Sequence, residues 1–71
     1  MITEKHIKIT GMSTVSWKDA IVQTISEVSK SIDYINNVKI LEQTARVNGK
    51  KIVEYYVTLD LSFTVDRERE D

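Results

Sequence analysis

Glu54 and Asp60 are the carboxylates that could serve this chain as a general base, six residues apart on one face of an alternating stretch. A base of that kind needs a nucleophile, a second titratable group or a phosphate-binding loop beside it. The chain has no cysteine, a single histidine (His6) and only two glycines, so no catalytic constellation assembles and an enzyme is not expected. A lone histidine without thiolates also argues against a zinc site. A second kind of chemistry is available to Asn37, Leu41, Gln43 and Tyr56: an aromatic face, an aliphatic side chain and two amides, the mixture that lines a flat ligand pocket. That set works only if two strands bring it onto one surface.

The strand that carries Tyr56 is the longest feature of the sequence. From Lys51 to Asp66 the residues alternate without a break, Val53, Tyr55, Val57, Leu59, Leu61, Phe63 and Val65 on one side and Glu54, Tyr56, Thr58, Asp60, Ser62 and Thr64 on the other. Period 2 with β-branched and aromatic bias predicts a half-buried strand of about 45–50 Å. A compact domain of this length has a radius of gyration of only about 11 Å, and hence a diameter near 30 Å. Part of the strand must project beyond its own core and be covered by another chain. Residues 4–10 predict a shorter strand, ended by Gly11. Ser16 fits a helix N-cap with Asp19 three residues on. Trp17, Ala20, Ile21, Ile25, Val28, Ile32 and Ile35 follow in steps of three and four, predicting an amphipathic helix that ends near Asp33. A strand from about Asn37 then meets the long one through Asn48-Gly49, a type I′ turn dipeptide.

The expected fold is α+β: β-α-β-β, a three-stranded antiparallel sheet with strand 3 central and one amphipathic helix across it. A two-residue Asn48-Gly49 loop sets Val47 opposite Lys50. It then places Val38 across from Leu59 and Ile40 across from Val57 on the helix side. On the other face it places Leu41 across from Tyr56, Ala45 from Ile52, Gln43 from Glu54 and Asn37 from Asp60. The apolar patch formed there reads in two ways, as a subunit–subunit contact or as a flat pocket at such a contact.

Composition narrows the partners. Chains this small usually need a staple, and without cysteines or a metal site the staple is self-association. The net charge of −1 argues against a nucleic-acid partner, and no apolar run reaches membrane-spanning length. The N-terminal residues carry neither an apolar signal core nor a cleavage site, so the expected location is cytoplasmic. Residues 1–66 read as one domain and 67–71 as a charged tail, with Arg67 and Arg69 offsetting its acids.

Four segments, in order, resemble the dodecin family. The strand at residues 4–10 is similar to the family's first strand, and Thr10-Gly11-Met12-Ser13-Thr14-Val15-Ser16-Trp17 to its Gly-x-Ser-x-x-Ser-aromatic helix entry. Val38-Lys39-Ile40-Leu41-Glu42-Gln43 resembles its second strand, and Asn48-Gly49-Lys50-Lys51-Ile52-Val53-Glu54-Tyr55 its hairpin and long strand. The resemblance implies a hollow homo-oligomer of twelve subunits that stores or sequesters flavin (riboflavin, FMN or FAD), with paired rings stacked between tryptophans at two-fold axes. In this chain Asn37 occupies the stacking-tryptophan position and Tyr56 the position of the glutamine that binds the flavin edge. Two functions follow: a flavin carrier with a pocket rebuilt on Asn37, Leu41, Gln43 and Tyr56, or a flavin-free assembly that holds another small ligand or acts as a shell.

Overall fold

A computed structural model describes residues 2–66; the expected tail at 67–71 lies outside the described residues. Four elements follow in order: β1 (Ile2–Ser13), α1 (Trp17–Val28), β2 (Ile35–Asn48) and β3 (Lys51–Asp66). The sheet runs β1-β3-β2 with both outer strands antiparallel to β3, as the sequence predicted. Leu59, Leu61 and Val57 on β3 and Ala20 on α1 are fully buried, with Ile7, Ile9, Ile21 and Ile25 packed around them.

The helix begins where its cap predicted. Ser16 Oγ accepts the Asp19 backbone N–H at 2.9 Å. Asp19 turns back to a different partner, accepting the Ser13 hydroxyl at 2.6 Å, and Ser13 Oγ in turn accepts the Val15 N–H at 2.9 Å. The buried end of β1 is thereby tied to the first turn of α1.

The helix is shorter than its apolar stripe predicted. It stops at Val28, and the Lys30 N–H reaches the Glu27 carbonyl in a tightened turn. Ser29 and Ser31 compete locally for backbone hydrogen bonds and weaken further helix. Tyr34 then adopts a left-handed φ of 64°, and Ile35 enters β2. At about 18 Å, α1 spans little more than a third of β3. The molecule is 59 Å long against 20 × 12 Å across, with a radius of gyration of 15.2 Å. The hairpin end therefore projects bare, and Val53, an expected core position, is 36% exposed.

Gly11 does not end β1. It pairs with Val57 inside the strand, and a Cβ there would fall within contact distance of Thr24 Oγ1 on α1. The residue marks a close approach of the helix to the sheet.

The register of β2 on β3 differs from the predicted one. Asn48 pairs with Lys51, so the loop is Gly49-Lys50, and the positive φ (67°) falls on Gly49 alone rather than on two residues as type I′ requires. Irregularities between Arg46 and Val47 and between Ile40 and Glu42 leave Val53 and Leu41 without direct partners. Thr44 rather than Leu41 lies opposite Tyr56. Gln43 faces Val57 instead of Glu54, and Ala45 faces Tyr55 instead of Ile52. Further along, Val38 pairs with Leu61, Ile40 with Leu59 and Asn37 with Ser62. Those last three are offset by two residues from expectation, which preserves the face of Val38 and Ile40 but changes their neighbours. A further irregularity between Ile35 and Asn37 turns Asn36 rather than Asn37 to the face away from α1.

Candidate functional site

The sheet face opposite α1 is built from every second residue of β3. Glu54, Tyr56, Thr58, Asp60, Ser62 and Thr64 stand on it, flanked by Met12, Thr10, Lys8 and His6 of β1 and by Arg46, Thr44, Glu42 and Lys39 of β2. One row runs Met12–Tyr56–Thr44 across all three strands. The Tyr56 hydroxyl donates to Glu54 Oε1 at 2.8 Å, and the Arg46 Nε–H reaches the same oxygen at 2.8 Å. One carboxylate oxygen thus fixes both the phenol and the guanidinium. The Tyr56 ring is held along its strand, with the half-exposed Met12 as its cross-strand partner on β1.

The two carboxylates considered for acid–base work stand six residues apart on this face, about 20 Å along the strand. Glu54 is engaged by Tyr56 and Arg46, and Asp60 Oδ2 lies 2.8 Å from His6 Nδ1. They form no dyad. Among the described residues no group of three or more His, Asp or Glu side chains is arranged to hold a metal ion.

The four expected pocket residues are not gathered within one subunit. Tyr56 is on the face away from α1, whereas Gln43 is at the level of Val57, on the opposite face. Leu41 is at the β2 irregularity and 45% exposed. Asn37 is six β3 residues, about 20 Å, from the level of Tyr56. There it lines a cavity of about 430 Å³ with Ile25, Ile32, Asp33, Tyr34 and Val38 under the end of α1. The neighbouring Asn36 takes the polar role on the opposite face, donating to Thr64 Oγ1 at 2.7 Å and accepting from the buried Ser62 hydroxyl at 3.4 Å. Sequence reasoning missed Arg46 and Met12 as neighbours of Tyr56. Their signal lay in the cross-strand register, which a two-residue loop alone did not specify.

The family model for dodecin matches residues 3–66. The chain belongs to the dodecin family. It is 30% identical over 63 residues to the calcium dodecin of Mycobacterium tuberculosis, covering 89% of each protein. The structure of that protein, described as a calcium-chelating immunodominant antigen with a novel calcium-binding site, is similar with a TM-score of 0.78 at 26% identity, over 97% of this chain and 99% of that one. The dodecin of Streptomyces coelicolor is similar with a TM-score of 0.86 at 14% identity, over 92% and 93% of the two chains. That of Streptomyces davaonensis gives 0.84 at 23% identity, over 92% and 96%. These two likenesses carry the dodecin fold: β-α-β-β, with the long third strand central.

Proposed function

We propose that this dodecin-family chain is a self-assembling small-molecule-binding protein, with its ligand site completed where copies meet and Tyr56 as the aromatic platform. The observation that carries the reading is the bare arm. Val47 is 61% exposed and Ile52 44% at the hairpin end beyond α1, and Leu41 is 45% exposed at the β2 irregularity. Apolar side chains in that density on so small a chain call for a second copy. A single subunit holds Asn37 and Tyr56 about 20 Å apart, so a pocket containing both draws them from different copies. A planar ligand, a flavin among them, suits an aromatic ring pinned by Glu54. Catalysis forms no part of this reading.

Riboflavin titration followed by fluorescence is the test. Saturable quenching at a fixed stoichiometry supports the flavin reading; unchanged riboflavin fluorescence at micromolar protein overturns it. Light scattering that returns the 8.2 kDa monomer mass overturns self-assembly.

A second reading, an assembly without flavin that holds another ligand or serves as a shell, is favoured by Asn37. An amide has no π-face, and each stacked ring forgone costs on the order of 1–3 kcal/mol, judged from base–aromatic stacking. The calcium in the name of the Mycobacterium tuberculosis relative makes calcium titration the companion experiment.

A further inference from the structure

The first residues of β1 have no apolar cover. Ile2 is 68% exposed, Thr3 through His6 are exposed, and the first β1 side chain packed against the core is Ile7. The ladder to β3 nevertheless continues to Ile2, opposite Asp66. On the face away from α1, His6 lies between two carboxylates. Its Nδ1 is 2.8 Å from Asp60 Oδ2 on β3, and its Nε2 is 2.8 Å from Glu4 Oε2 on its own strand. Ionised carboxylates only accept hydrogen bonds, and a neutral imidazole has a single N–H to give. Both contacts are satisfied together only by the imidazolium.

We propose that Glu4, His6 and Asp60 form a proton-operated clasp that holds the N-terminal end of edge strand β1 on central strand β3, closed when His6 is protonated and released when it is not.

Every charge that faces His6 among the described residues can be placed. Glu4 and Lys8 flank it on β1, Asp60 approaches from β3, and Lys39 lies opposite Asp60 on β2. Ser62, directly across from His6, is neutral and bonded to Asn36. The helix lies on the other face and presents no charge here. Lys8 and Lys39 compete for Asp60, but the direct contacts decide the direction. The His6 pKa is raised above its ordinary 6.5, chiefly by the hydrogen bond to Asp60, with desolvation opposing and the Asp60 charge and Glu4 adding to it. A group with a raised folded-state pKa contributes stability that is fully present below its unfolded value and is lost as pH rises through the folded one. The clasp is therefore closed below about pH 6.5 and opens as pH rises through the raised His6 value. The His6 side chain is half exposed, so salt weakens the effect. Release leaves the far end of β3 with unpaired backbone groups, an edge open to pairing with another strand.

The test combines imidazole proton NMR with amide hydrogen exchange on the assembled full-length protein at about pH 5.5 and about pH 8.5, corrected for intrinsic rates. The expected His6 midpoint lies above 6.5 and falls toward it in Asp60→Asn. Protection of the Glu4–Ile7 amides is expected to drop about two- to fivefold between the two pH values, the scale of one exposed ion pair, while the Ile9–Gly11 amides stay constant. In His6→Gln that pH dependence disappears. Should His6→Gln fail to fold, Glu4→Gln gives the same comparison, with a partial loss expected. A His6 midpoint at or below 6.5, or an equal loss of protection in His6→Gln, overturns the proposal.

Discussion

The Trp17 indole donates its Nε1–H to the Thr44 carbonyl across 2.8 Å, while its ring meets Tyr55 edge-on with centroids 5.0 Å apart. Trp17 is the first residue of α1 and Thr44 belongs to the outer strand of the projecting hairpin. One side chain therefore couples the helix start to an arm that the rest of α1 does not reach. Trp17→Phe keeps most of the packing and loses the hydrogen bond, an expected cost of about 1 kcal/mol. Trp17→Ala loses both, about 2–3 kcal/mol, below the fully buried range because the ring is half-buried. Urea unfolding of the two variants separates the contributions.

Gly11 and Thr24 make a similar pair across the helix–sheet contact. A methyl group at residue 11 collides with Thr24 Oγ1, so Gly11→Ala is expected to cost about 1–3 kcal/mol. Removing the hydroxyl by Thr24→Ala in the same chain should recover most of that loss. A double-mutant cycle by thermal unfolding measures the coupling, and additive costs would refute the contact.

The helix cap gives a smaller effect of the same sign. Ser16→Ala removes the acceptor for the Asp19 N–H and is expected to cost about 1 kcal/mol. Circular dichroism during urea unfolding reads it.

Tyr34 points the other way. It holds φ at 64° and is 83% exposed, so its side chain gains little packing in return for a strained backbone. Tyr34→Gly is expected to raise stability by about 1 kcal/mol, read as a higher unfolding midpoint.

Ligand binding should respond to the pinned ring and to the altered position. Tyr56→Ala is expected to weaken riboflavin quenching about tenfold or more, the loss of one stacking surface. Asn37→Trp restores a π-face and should strengthen quenching by a comparable factor. Equal affinity in wild type and Tyr56→Ala would remove Tyr56 from the site.

Much of the fold was legible because its signals are local. The alternation through Val57, Leu59 and Leu61 marks a strand with one buried face. The Ser16-to-Asp19 spacing marks the helix start, and the four motif segments already resembled dodecins in the right order. The helix end was not legible, since Ile32 and Ile35 continue the apolar stripe while Ser29, Ser31 and the left-handed Tyr34 break the backbone. The candidate pocket was legible least. Gln43 moved to the other face because Leu41 takes the bulge, and that depends on how β2 packs rather than on its own pattern.

The sequence by itself determined the element types, their order, the central place of β3 and the need for cover beyond the subunit. Each follows from periodicity, caps and a strand too long for its helix. Only the tertiary structure decided which side chains share a level. A turn displaced by one residue and three irregularities shift β2 by one to three positions against β3, through backbone hydrogen bonds between strands far apart in the chain. The same cause set Arg46 beside Glu54 and Tyr56 and left Asn37 far from both. On the other edge, the pairing of β1 with β3 joined His6 to Asp60 across 54 residues of chain, a contact that no local pattern encodes.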